Sequence, residues 1–241
     1  MKVSLFIPCI SEHLYPDTSL SMVKVLNHLG VEVEYVENQT CCGQPVYNSG
    51  YHNKTIPMAE YFIQLFKDKE YIVAPSGSCV AMVRSFYREL DIGEKYGAEL
   101  SELSKRIFEM CEFIVNIRQV TDLGGQFPHS VTYHDSCLLS RVLGVRDEPR
   151  ILIKGIRGID FIEMEVSDSC CGFGGTFSYK FKDVSIEMVK RKCEFIKATG
   201  AEYCIGADSS CLMNINGYLK KNHYHTKILH IADLLALSLG L

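Results

Sequence analysis

The sequence predicts an α/β fold of two pseudo-symmetric repeats, each a mostly parallel sheet flanked by helices. Three observations predict it: a duplicated cysteine pattern, short apolar runs opening into the loops that carry those cysteines, and helical periodicity between the runs. Cys9 and Cys137 stand 128 residues apart, the Cys41-Cys42-Gly43 and Cys170-Cys171-Gly172 triplets 129 apart, and Cys79 and Cys211 132 apart. Each half therefore reads Cys, then CCG, then Cys. Chance supplies on the order of 0.04 CCG triplets in a chain of this size and composition, so two in register with flanking thiols mark a duplication. A length of 241 residues suits two small lobes, 1–122 and 129–241, with the Gly- and Pro-containing segment Thr121 to Ser130 as their joint.

Taken in order, Val3 to Ile7 precedes Cys9, and Tyr71-Ile72-Val73 precedes the loop Ala74 to Cys79. Val131-Thr132-Tyr133 precedes Cys137, and Tyr203-Cys204-Ile205 precedes the loop Gly206 to Cys211. All four runs read as buried strands opening into loops. Leu100, Leu103, Ile107, Met110 and Ile114 recur at helical spacing, as do Ile186, Val189, Cys193 and Ile196 within 183–199. Alternating strands and helices imply parallel sheets, whose carboxyl-end loops gather at one edge and form binding sites. The repeated thiols all fall in such loops. Cys9, Cys41, Cys42 and Cys79 are thus expected together in one half, and Cys137, Cys170, Cys171 and Cys211 in the other.

A net charge of −4 with no Lys/Arg-rich run argues against nucleic acid as a partner. No apolar stretch approaches the roughly 18 residues of a membrane span. The N-terminal apolar run stops at Glu12 and His13 without a cleavage site, and Pro8 excludes a lipoprotein reading at Cys9. The expected location is cytoplasmic, where thiols stay reduced and clustered cysteines signify metal or redox chemistry. Eleven cysteines is an odd number, so at least one thiol stays unpaired.

Thiolates select zinc, copper(I) or iron-sulfur clusters. Adjacent cysteines fit poorly on one tetrahedral zinc ion, whereas a cluster offers them different irons, and the glycine after each pair permits the turn that brings it close. Zinc remains the competing metal. A vicinal disulfide leaves Cys9, Cys79, Cys137 and Cys211 without a role, and purely structural thiols leave the repeat itself without one. Cys111, Cys193 and Cys204 lie outside the repeat within apolar patterns and read as core. His134-Asp135 can serve as sulfur donor, alternative ligand or proton source, set against a loop histidine making ordinary hydrogen bonds. His13 and His52 are weaker candidates still. Gly172 to Thr176 matches no nucleotide-binding pattern and reads as backbone approaching a cluster, its N–H groups aimed at sulfide. No flavin or nicotinamide fingerprint occurs, so substrate oxidation would involve partner proteins. No catalytic residue is assigned.

The segments CCGQPVYNSGY at 41–51, PSGSC at 75–79, CCGFGGTFS at 170–178 and IGADSSCLMNI at 205–215 make the resemblance specific. The chain resembles the cysteine-rich CCG-domain family, which includes the cysteine-rich components of heterodisulfide reductase and of anaerobic glycerol-3-phosphate dehydrogenase and the iron-sulfur component of glycolate oxidase. Over nearly its whole length it is similar to the lactate-utilisation members. The resemblance implies an iron-sulfur component of a multiprotein system oxidising L-lactate to pyruvate, acting as an oxidoreductase subunit in electron transfer. Its partners would be a ferredoxin-like iron-sulfur protein and a third protein of that system. It implies Cys9, Cys41, Cys42 and Cys79 as ligands of one site and Cys137, Cys170, Cys171 and Cys211 as ligands of the other. The broader family closes each motif with C-x-x-C, but here Ser76 and Asp208 replace the first cysteine of that pair. The fifth thiol is missing in both halves, which suits one or two 4Fe-4S clusters, with zinc possible in one half. The alternatives are a metal-stabilised assembly subunit without redox turnover, or a thiol-disulfide reductase.

Overall fold

The computed structural model describes residues 1–241, the side chain of Lys95 excepted. Four strands form each half: β1 (Lys2–Leu5), β2 (Glu32–Tyr35), β3 (Ile72–Ala74) and β4 (Ile107–Glu109), then β5 (Ser130–His134), β6 (Asp160–Phe161), β7 (Tyr203–Gly206) and β8 (Lys227–His230). The sheet orders are β2-β1-β3-β4 and β6-β5-β7-β8, and every pairing is parallel. The two halves therefore share one topology, as the cysteine repeat predicts. The central strands read as continuous apolar runs because helices cover both faces of a parallel sheet; Ile72, Val73 and Ala74 are all fully buried.

One expectation fails. The periodic run from Leu100 to Ile114 is not a single helix: the helix Gly93–Leu103 stops, β4 follows, and a capped turn at Met110–Glu112 leads into a π-helical segment, Phe113–Ile117. Ile107 to Glu109 complete the sheet by pairing with Ile72 to Ala74. Ladder hydrogen bonds with β3 thus override a helical spacing that a short buried strand also satisfies.

The long helices His52–Phe66 and Lys182–Thr199 occupy equivalent places. Their buried faces match position for position at a separation of 130: Thr55, Ala59, Phe62, Ile63 and Phe66 against Ser185, Val189, Lys192, Cys193 and Ile196. Ile186, which the periodicity places on this face, lies at its edge and is exposed.

The halves share apolar packing. One cluster joins Val3, Leu5 and Val73 to Val131, Tyr133 and Ile205, and the helix Pro16–His28 packs on Ile231–Ser238, where Thr18 Oγ1 donates to Asp233 at 2.8 Å. The joint is held too: Gln126 N donates to Ser238 O at 2.8 Å. No helix among the described residues is long and apolar enough to cross a membrane.

Candidate metal centres

Each repeated thiol sits just beyond the carboxyl end of a strand. Cys9 follows β1 at the start of the helix Cys9–Leu14, and Cys41-Cys42 occupies the loop between β2 and the helix Gln44–Asn48. Cys79 lies in the first turn of the helix Gly77–Arg84 after β3. The second half repeats this with Cys137 after β5, Cys170-Cys171 after β6, and Cys211 in the helix Ser209–Lys221 after β7.

Within each half the thiols form a ladder. Cys9 Sγ lies 3.6 Å from Cys41 Sγ, and side-chain hydrogen bonds run on from Cys41 to Cys42 and from Cys42 to Cys79. The second ladder runs Cys137, Cys170, Cys171, Cys211 in the same order. Gly43 N donates to Cys41 Sγ at 3.5 Å, and Gly172 N to Cys170 Sγ at 3.4 Å. Hydrogen bonds from Cys42, Cys9 and the Gly43 amide hold Cys41 down to about 3. Those from Cys137, Cys171 and the Gly172 amide hold Cys170 down to about 2. The same bonds, with burial, raise Cys9, Cys42, Cys137 and Cys171. Each ladder thus sets one sulfur that favours the thiolate among donor thiols, whose protons metal binding would release.

The turn at each pair requires glycine, Gly43 at φ +84° and Gly172 at φ +80°. Carbonyls there are tied back by side chains: Tyr87 Oη donates to Cys42 O at 2.8 Å and Asn214 Nδ2 to Cys171 O at 2.8 Å. Both ladders meet a single cavity of about 230 Å³ between the halves, lined by Cys9, Cys41, Cys42 and Cys79 together with Cys137 and Cys211. Gly174 and Gly175 also line it, whereas His13 and His52 do not. Cys111, Cys193 and Cys204 are fully buried elsewhere, in core clusters.

The positions without a fifth thiol have a different use. Ser76 and Asp208 form a bridge between the halves. Asp208 Oδ2 accepts from Ser76 Oγ at 3.2 Å and from Ser78 N at 3.0 Å, while Oδ1 accepts from Ser210 N at 3.3 Å. One buried carboxylate thus caps its own helix and clips the opposite one. His230 adds a second clip. Its Nδ1 accepts from Ala232 N at 3.1 Å, so Nε2 carries the proton and donates to Pro75 O at 3.1 Å.

His134 is not a hydrogen-bonded loop histidine. It ends β5, is 1% exposed, and neither ring nitrogen makes a hydrogen bond of ordinary geometry, although the Ser167 backbone is near enough to act on the ring. One of those nitrogens lies within 4.8 Å of both Cys171 Sγ and Cys211 Sγ. Burial, aided by the nearby Lys192 charge, pushes it down to about 3, so the ring is neutral and able to ligate. Its neighbour Asp135 has a structural task. Burial works to raise this carboxyl, but Arg150 and Ser167 outweigh burial and hold it low; Arg150 donates to both its oxygens, at 3.0 and 2.7 Å. Lys192 escaped the sequence reading altogether. Fully buried, it donates to Val166 O and Ser167 O at 2.9 Å each, and burial lowers it to about 8. Its signal was available: a lysine beside Val189, Cys193 and Ile196 on an otherwise buried helix face.

Two converging thiol quartets, each with a lowered-pKa sulfur and an amide donor, fit a thiophilic metal or cluster in donor type and burial. A duplicated parallel sheet with such a quartet at each carboxyl edge defines a tandem cysteine-rich α/β protein. The chain belongs to the CCG cysteine-rich domain family, whose model matches it twice, at residues 3–84 and 131–216. It is similar to Lactate utilization protein A of Oceanobacillus iheyensis, 43% identical over 98% of this chain and 96% of that one. To the Exiguobacterium protein of the same name it is 44% identical over 97% and 96%. Lactate utilization protein A 1 of Bacillus anthracis is 42% identical over the full length of both. The crystal structure of a hypothetical protein from Helicobacter pylori shares the fold, with a TM-score of 0.68 and 14% identity over all of this chain and 49% of that one.

Proposed function

We propose that the protein is the cluster-bearing subunit of a multiprotein system that oxidises L-lactate to pyruvate. A ferredoxin-like iron-sulfur protein and a third protein would be its partners, in the cytoplasm. The observation that carries this reading is the pair of four-thiol ladders in one order, with the first ladder and both ends of the second lining one cavity. Full-length likeness to the lactate utilization proteins supplies the substrate class.

A 4Fe-4S cluster, when bound, supplies one-electron transfer at a potential set by ligands and surroundings. Cys9, Cys41, Cys42 and Cys79 would hold one, and Cys137, Cys170, Cys171 and Cys211 the other. The chain's own contribution is preorganisation. Gly43 and Gly172 aim amides at sulfur, Tyr87 and Asn214 fix the carbonyls beside the paired cysteines, and Asp208 with Ser76 holds the two ladders in fixed relation. The aromatic residues Phe6 and Phe62, with ring centroids 4.8 Å apart, exclude water behind the first ladder. A second reading, zinc in the second half with an assembly role, is favoured by the nearness of His134 to Cys171 and Cys211.

Anaerobic isolation with iron, sulfide and zinc analysis separates the two. Iron and sulfide in matching amounts, with lactate-dependent reduction of the visible chromophore once the partners are added, is the expected result. Near-zero sulfide with stoichiometric zinc would overturn the electron-transfer reading.

A further inference from the structure

The two halves differ most in the wall behind their thiols. Phe6 and His134 are 128 residues apart, the same separation as Cys9 and Cys137, and Phe62 and Lys192 are 130 apart on matching helix faces. In the first half the pair is an edge-to-face aromatic contact inside an apolar cluster. In the second half the same two places hold a fully buried imidazole and a fully buried ammonium. Packing does not account for the imidazole, because a phenyl ring fills the equivalent place. Neither ring nitrogen makes a hydrogen bond of ordinary geometry, and burying a polar group in that state is destabilising. A buried unpartnered group of this kind calls for an ion or ligand to satisfy it.

We infer that His134 is a metal ligand of the second site, so that the first centre is all-thiolate and the second mixes imidazole with the thiolates of Cys171 and Cys211. Three observations converge on it: a ring nitrogen within 4.8 Å of both sulfurs, the lack of a hydrogen bond of ordinary geometry to either nitrogen although the Ser167 backbone is near, and the burial of all three residues. Lys192 fits the same assignment. Its ammonium, held by the Val166 and Ser167 carbonyls, is near enough for its charge to act on the imidazole and the Cys171 thiol, where it offsets the negative charge that ligation requires. A neutral imidazole beside the second quartet adds a donor without adding negative charge, which sets this centre apart from the all-thiolate first one and suits iron and zinc alike. The inference rests on the proposal that the second site holds a metal.

Cobalt(II) alone is the probe, loaded anaerobically into the metal-free full chain and followed by optical titration and cobalt X-ray absorption. The wild type is expected to bind cobalt in both halves and to show imidazole scattering. His134→Phe, which copies the first half, should abolish that scattering and weaken one class of cobalt by more than about tenfold. Cys9→Ser should weaken the other class and leave the imidazole signal intact. His134→Asn, checked for native circular dichroism, serves if the phenylalanine variant does not fold. Sulfur-only scattering in the wild type, no cobalt in the second half, or imidazole scattering that survives removal of His134 would each overturn the assignment. Sulfide-free native protein with an intact imidazole signal would remove the cluster reading and leave His134 as a ligand.

Discussion

The first half surrounds its thiols with Phe6, Phe62, Phe66 and Tyr87, whereas the second places His134, Lys192, Asp135 and Arg150 in the corresponding region. Strand order, cysteine ladder, amide donors and the glycine turns are the same in both. Duplication has kept what positions the sulfur atoms and changed what surrounds them. Two centres with the same sulfur ligands but unequal dielectric and charge would thereby take different potentials or different metals.

The largest expected effect strikes the aromatic wall. Phe62→Ala removes a fully buried ring packed on Phe6, Phe66 and Tyr87, and should cost about 3–5 kcal/mol in chemical denaturation. Lys192→Met at the matching position keeps volume but leaves the Val166 and Ser167 carbonyls without their donor, and should cost about 1–3 kcal/mol. No loss, or a gain, in Lys192→Met would contradict the view that the second wall is held by polar contacts rather than packing.

Next come the turns. An added Cβ at Gly172 would meet the Ser185 carbonyl oxygen at 2.7 Å, whereas at Gly43 the nearest atom is a Thr55 methyl at 3.0 Å. Both alanine variants carry the left-handed backbone cost of about 1–2 kcal/mol. Gly172→Ala should exceed Gly43→Ala in thermal unfolding, because a backbone oxygen gives way less readily than a side-chain methyl.

The last pair of predictions concerns the caps that end the two sheets. Glu109 at the end of β4 and His230 at the end of β8 are both fully or nearly fully buried N-caps. Burial raises Glu109 from an ordinary 4.5 to about 8, so its contribution is complete below about pH 4.5 and is lost as pH rises through 8. Burial lowers His230 below its ordinary 6.5, so its contribution is present above that pH and lost as pH falls. Glu109→Gln should flatten the alkaline side of a stability–pH profile and His230→Gln the acidic side. Equal slopes in wild type and variants would contradict this opposition.

The repeat made much of this legible. Cysteine spacing predicts both quartets, and four apolar runs predict β1, β3, β5 and β7. The edge strands β2 and β6 stayed hidden because Glu32 to Tyr35 is half polar and Asp160-Phe161 is only two residues long. Strand β4 was masked by a spacing that also fits a helix. Asp208 and Ser76 stand out in sequence only as missing thiols. Their contact depends on how the halves face each other, which no local pattern encodes.

Potentiometric titration of anaerobically prepared protein, followed by EPR, distinguishes one centre in each half from a single shared one most directly. Two reducible signals are expected in the wild type, one lost in Cys41→Ser and the other lost in Cys170→Ser. A single signal lost in both variants, or signals unchanged in either, would contradict two independent thiol-held centres.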